Sequence, residues 1–138
     1  RYFKKQIKAF IGIGSAPEFL TRLMWNKFPQ KVKKEIKSKG LATIEKGNYK
    51  YPITYQLIKD GRKNKVLSKK FLSKINVSMF HGENDEVVPV SYSRKVLSIF
   101  KKAKKKLFII KNGDHSLSNK KSLKLINSHL HKIIKNIS

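Results

Sequence analysis

Apolar positions along the chain fall into short blocks separated by turn-forming residues, and the spacing inside each block predicts its element. Residues 7–13 (IKAFIGI) are apolar, short and followed by Gly-Ser-Ala-Pro, as expected for a buried parallel strand running into a turn. Pro17 suits the first turn of a helix, where its missing N–H costs nothing, and Phe19, Leu20, Leu23 and Met24 share one face of it. Pro29 opens a second helix with only Val32 and Ile36 on its apolar face, so it should lie on the outside, and Gly40 suits its C-terminal stop. Residues 41–52 (LATIEKGNYKYP) read as a hairpin turning at Lys46-Gly47-Asn48. A third helix is expected over 53–62 with Ile53, Leu57 and Ile58 inward.

The second half alternates strand and helix. Residues 75–80 (INVSMF) form a strand that opens into a loop over 81–85. Ser91 is the expected N-cap of a helix over 92–102, with Tyr92, Val96, Leu97 and Phe100 buried and a lysine run at its C-terminal end. Residues 106–111 (KLFIIK) form the next strand, and Ser118 should cap a last helix over 119–136 facing inward through Leu123, Ile126, Leu130, Ile133 and Ile137. Such alternation builds an α/β fold with a parallel sheet and helices on its faces. Three strands make a thin sheet, and the first is expected at an edge.

The chain has 138 residues, enough for one domain. It begins at Arg1 without a methionine, which suggests part of a longer protein. No cysteine is present, which excludes disulfides, thiol nucleophiles and thiolate metal sites. No apolar run approaches the roughly 18 residues of a transmembrane helix. The formal charge is +25, from 33 basic and 8 acidic residues. A charge of that size can attract nucleic acid. Here it is spread along the whole chain, is mostly lysine, and accompanies many Asn and Ile residues, a combination that reads as coding bias. A nucleic-acid-binding protein would need those lysines gathered on one face.

Sites in open parallel sheets gather at the carboxyl ends of the strands. Of the three aspartates, Asp60, Asp85 and Asp114, Asp85 lies in one such loop, and His115 lies in the next. A carboxylate that orients an imidazole is the supporting half of nucleophilic acyl chemistry. Plainer roles stand beside this one. Asn84-Asp85 can form a turn on its own, and His115 can be an ordinary loop residue. Asp114 suits its own turn, His81 suits packing at its strand end, and His129 and His131, two apart on a helix, point in different directions.

His81-Gly82-Glu83-Asn84-Asp85-Glu86-Val87-Val88-Pro89 resembles the acid loop of α/β-hydrolases, and Asn112-Gly113-Asp114-His115-Ser116 resembles their catalytic-histidine loop. Through the stretch Tyr55 to Arg62 the chain is most similar to small serine hydrolases of the mitochondrial palmitoyl-protein thioesterase type and their bacterial relatives. The resemblance implies the C-terminal portion of an α/β-hydrolase domain over 1–138, with a helical insert or lid at about 15–65. It implies Asp85 as triad acid, His115 as general base, and ester or thioester hydrolysis through an acyl-serine without metal or organic cofactor. It makes Met24, Trp25 and Val87 candidate substrate contacts, and it implies a bacterial cytoplasmic or a mitochondrial setting. The chain departs from the family in having no Gly-x-Ser-x-Gly elbow. Gly12-Ile13-Gly14-Ser15-Ala16-Pro17 is the nearest imitation, with glycines wrongly placed around Ser15. The nucleophile and the oxyanion-hole amides are therefore expected upstream of Arg1, and the chain alone should have little activity. A catalytically silent interaction module on the same fold is the rival reading, distinguished by the absence of a serine elbow in the whole protein.

Overall fold

The computed structural model describes residues 6–46 and 49–137. Among these, the chain divides into two compact units: Pro17–Val66, and the residues on either side of that stretch.

In the flanking unit, β1 (Ala9–Ile13), β4 (Asn76–Gly82) and β5 (Lys104–Ile110) form a parallel sheet in the order β1-β4-β5. The strands between β1 and β4 in the chain, β2 (Leu41–Lys46) and β3 (Tyr49–Thr54), pair antiparallel with each other in the other unit. The central strand β4 is buried on both faces, as a parallel strand covered by helices must be. One face carries Ser78 and Phe80 toward α4 (Lys120–Lys135): Phe80 stacks on Phe108 with ring centroids 4.7 Å apart, and Ile110, Leu117 and Ile126 complete that cluster. The other face carries His81 toward α3 (Ser91–Ile99), from which Ser93 meets it. Strand β1 is an edge, and Phe10 and Ile13 are exposed along it, as is Ile7 just before it.

The Pro17–Val66 unit has its own core of Trp25, Ile36, Ala42, Ile53 and Ile58, with Met24, Phe28, Val32, Ile44 and Tyr55 against it. Helix α1 (Gln30–Lys39) starts after Pro29 and stops at Gly40, whose φ of 81° is a left-handed conformation that glycine tolerates. The β2–β3 strands form the expected hairpin, while the turn residues Gly47 and Asn48 lie outside the described residues.

Several expected boundaries and faces are corrected. Pro17 does not open a helix. Glu18 follows it at φ 62°, which interrupts helical geometry, and the segment Leu20–Trp25 is a short π-helix. The Glu18 carboxylate accepts the Val66 N–H at 3.0 Å. Helix α2 (Tyr55–Lys63) starts two residues later than expected because Thr54 caps it, its hydroxyl accepting the Leu57 N–H at 3.1 Å. Ile53 is therefore a strand residue, and Leu57 is exposed.

Ser91 is the first residue of α3 and not its cap, and that helix ends at Ile99. Phe100 turns extended to bridge Phe71, with Phe71 N–H on the Ile99 carbonyl and Lys101 N–H on the Phe71 carbonyl. The lysines at 104–106 consequently lie in β5. Asn119, not Ser118, caps α4 by accepting the Ser122 N–H at 2.9 Å. Ser122, Ile126 and Ile133 are buried along α4, whereas Leu123, Leu130 and Ile137 are exposed. The cause is His129, which hydrogen-bonds to Ser78 Oγ at 2.8 Å and lies edge-on to Phe80 and Phe108, so two polar residues occupy the inward face.

Candidate active site

The loops after β4 and β5 meet at the carboxyl end of the sheet, within one unit. They are locked together by backbone bonds: Glu83 N–H donates to the Ile110 carbonyl at 3.0 Å and Asn84 N–H to the Gly113 carbonyl at 2.9 Å. Gly82 lets the loops close. A Cβ there would collide with the carbonyl oxygens of Asp114 and Gly113. Gly14, at φ 52° after β1, brings backbone against His115, where a Cβ would stand 3.1 Å from the His115 carbonyl oxygen and 3.3 Å from Nδ1.

Asp85 and His115, thirty positions apart, are in contact, with Nδ1 2.9 Å from Oδ2. The carboxylate is fully buried while the imidazole is 45% exposed. Each oxygen of Asp85 has a distinct task. Oδ1 accepts the N–H groups of Val87 at 2.9 Å and Val88 at 2.8 Å, closing the turn that follows the aspartate. Oδ2 faces His115. Burial on its own would raise the Asp85 pKa, but the Val88 N–H, the His115 ring and the Val87 N–H together outweigh it and hold the group below the ordinary carboxylate value. The carboxylate thus stays ionised and can only accept, so His115 carries its proton on Nδ1 and turns Nε2 into a base. Among the described residues no hydroxyl is hydrogen-bonded to Nε2.

Asp114 sits beside His115 but serves its own loop, accepting the Leu117 N–H at 2.8 Å and the Ser116 hydroxyl at 3.0 Å. Val87 contributes through its backbone. Trp25 and Met24 belong to the core of the Pro17–Val66 unit, Trp25 being almost wholly buried there. Ser15 lies on the turn after β1, its hydroxyl oxygen 2.5 Å from where a Cβ on Gly12 would stand. The sequence assigned His81 to packing at its strand end, where it is indeed buried, but not its contact with Asp85, and it gave no role to Ser93 or Glu83 and no contact with His115 to Gly14. The His-Gly pair ending β4 was the available signal for the first; Ser93 lay hidden in a helix. Among the described residues no group of three or more His, Asp or Glu is arranged to hold a metal, and no helix is long and apolar enough to cross a membrane.

No protein-family model matches the chain. It is 28% identical over 127 residues to the bovine (Bos taurus) mitochondrial palmitoyl-protein thioesterase ABHD10, an alignment covering 88% of this chain and 40% of that protein. The solved structure of α/β-hydrolase domain-containing protein 10 from mouse superposes with a TM-score of 0.83 at 26% identity, covering 99% of this chain and 56% of that one. A protein of Agrobacterium vitis S4 named as a hydrolase superposes with a TM-score of 0.85 at 21% identity, covering 94% of this chain and 50% of that one. The chain spans about 40% of the length of the curated relatives it matches. It has an α/β-hydrolase fold, a parallel sheet with flanking helices, and is similar in sequence to the ABHD10 palmitoyl-protein thioesterases.

Proposed function

We propose that this chain carries the acid and base of a Ser-His-Asp acyl hydrolase acting on esters or thioesters, with the serine supplied by sequence outside these 138 residues. The observation that carries the reading is the contact between a buried, saturated carboxylate and a half-exposed imidazole at 2.9 Å. Similarity to proteins named as palmitoyl-protein thioesterases favours a thioester of a long-chain acyl group.

In this mechanism the serine hydroxyl attacks the acyl carbon as its proton passes to His115 Nε2. The new oxygen–carbon bond forms a tetrahedral adduct whose oxyanion is met by backbone amides. The adduct collapses with loss of the thiolate or alkoxide, which leaves protonated by the imidazolium. Water then repeats the sequence on the acyl-serine, releasing the carboxylic acid and restoring the serine. Asp85 remains ionised throughout. Its role is to hold the ring with Nδ1 protonated and to stabilise the positive charge that the ring gains in each transfer.

The test uses the whole protein that carries this chain, with an acyl thioester as substrate. His115→Ala should lower turnover by roughly 10³-fold or more, with the circular dichroism spectrum unchanged. Asp85→Asn should also be severe, for a geometric reason. The Val87 and Val88 N–H groups select the amide oxygen, so the amide NH₂ faces Nδ1 and forces the opposite tautomer. Normal turnover in a folded His115→Ala protein would sink the proposal.

A further inference from the structure

Asp85 Oδ2 faces two imidazoles, and the mechanism above uses one. The second is His81, the penultimate residue of β4, fully buried, with Nε2 3.2 Å from Oδ2. Its hydrogen bonds are specific. Nε2 lies 2.8 Å from the Val88 carbonyl oxygen, and Nδ1 lies 2.7 Å from the hydroxyl of Ser93, which is itself fully buried on α3. A carbonyl only accepts, so Nε2 carries a proton, and in the neutral ring Nδ1 accepts the Ser93 O–H. The ring therefore spans from α3 to the loop that bears the aspartate. It grips that loop at Val88, the same residue whose N–H holds Asp85 Oδ1. It also presents its N–H edge to the oxygen that receives His115.

We infer that His81 is a positioning residue for the Asp85–His115 pair: the chain Ser93–His81–Val88 sets where Asp85 Oδ2 stands, and through it the tautomer and orientation of His115. The inference rests on the reading of Asp85 and His115 as acid and base. Burial of a purely apolar side chain at this strand end would satisfy packing equally well. It would leave the Val88 carbonyl and the Ser93 hydroxyl without their partner, which is costly in a buried site. Outer-sphere partners of this kind orient the groups they touch without contacting the reacting atoms.

The experiment needs no turnover and uses the whole protein that carries this chain. Ring ¹⁵N shifts of His115, recorded at about pH 9 where ordinary imidazoles are neutral, report which nitrogen is protonated. The backbone amides of Val87 and Val88 report whether the acid loop is seated. The native chain should show His115 as the Nδ1–H form. Asp85→Asn should convert it to the Nε2–H form. His81→Leu should lose most of the Nδ1–H form, Ser93→Ala should lose part of it, and His81→Gln, which can place an N–H where Nε2 stands, should restore it.

If Asp85→Asn leaves the tautomer unchanged, the acid–base reading fails and the inference with it. If Asp85→Asn converts the ring but His81→Leu and Ser93→Ala do not, the positioning role alone is overturned. A Gln variant no better than Leu overturns the donor role. Should His81→Leu fail to fold, Ser93→Ala, which leaves the imidazole in place, decides.

Discussion

Glu83 accepts the backbone N–H of Asn112 at 3.1 Å, a bond between the two loops that carry Asp85 and His115. With the reciprocal backbone bonds of Glu83 and Asn84, it makes the acid loop and the histidine loop one rigid object. The 2.9 Å contact between Asp85 and His115 therefore depends on loop geometry as much as on the pair itself. The Glu83 side chain is exposed, so Glu83→Ala should cost no more than about 1 kcal/mol in urea unfolding. It should nevertheless speed solvent exchange of the Asn112 amide. An unchanged exchange rate would show that the carboxylate does not hold the loop.

Gly82→Ala tests the same closure from the backbone side. The added methyl meets the carbonyl oxygens of Gly113 and Asp114, which belong to the chain and not to a flexible side-chain end. One loop must retreat, at a cost of roughly 1–3 kcal/mol as overpacking usually brings. The retreat should also separate Asp85 from His115. A urea midpoint within experimental error of the native chain would contradict the closeness of the two loops.

Three groups, His129 and the carboxylates Asp85 and Asp114, give stability a dependence on pH, in two separate windows. Burial lowers the pKa of His129, helped by the charges of Lys106 and Lys132. The folded chain thus binds a proton there less readily than the unfolded chain. The contribution of the neutral ring is complete above the ordinary imidazole value of about 6.5 and is lost as pH falls through the lower folded value. Asp85 behaves alike in sign but further down. Its pKa is lowered in the fold, so its contribution is complete above about 3.9 and vanishes only as pH drops below that. His129→Gln should remove the loss of stability just below pH 6.5 while leaving the acid limb. Asp85→Asn should make the acid limb shallower without abolishing it, because Asp114, whose pKa is lowered by the Leu117 N–H and the Ser116 hydroxyl, contributes in the same window. Denaturation midpoints measured across both windows separate the two, and a His129→Gln chain with the native slope near pH 6 would refute the assignment.

The hydrophobic pattern made the strand–helix alternation and the sheet legible because β4 is buried on both faces and each helix follows a turn signal. It also placed Asp85 and His115 in neighbouring loops, at strand ends that the structure brings into contact. What it could not show follows from polar groups doing apolar jobs. Ser122 and His129 occupy the inward face of α4, so a count of leucines and isoleucines was right at Ile126 and Ile133 but wrong at Leu123, Leu130 and Ile137. The π-helix after Pro17 depends on Glu18 adopting a positive φ, which side-chain type disfavours and its long-range bond to Val66 accompanies. His81 appeared as simple packing because its partners, Ser93 and the Val88 carbonyl, become neighbours only once α3 has docked.

Gly40 offers a clean measure of backbone strain. It ends α1 at φ 81°, and a Cβ there would meet nothing within 4 Å. Gly40→Ala should therefore cost only the conformational penalty, roughly 1–2 kcal/mol for a left-handed non-glycine residue. A neutral substitution would mean that α1 ends in a different conformation.

Leu57 and Ile58 are neighbours on α2 with opposite environments. The sequence pattern turns both inward, yet Ile58 is fully buried against Trp25, Ile36, Ala42 and Ile53 while Leu57 is exposed. Ile58→Ala should remove a complete set of contacts and leave a cavity, costing about 2–5 kcal/mol. Leu57→Ala should stay within about 0.5 kcal/mol of the native chain, since truncation at an exposed position leaves no cavity. Trp25 is the single tryptophan and lies in the same core, so its fluorescence follows the unfolding of this unit directly. The Ile58 variant should move the fluorescence midpoint to markedly lower urea, and the Leu57 variant should not. Equal shifts would mean that α2 sits in a different rotation, with Thr54 no longer its cap.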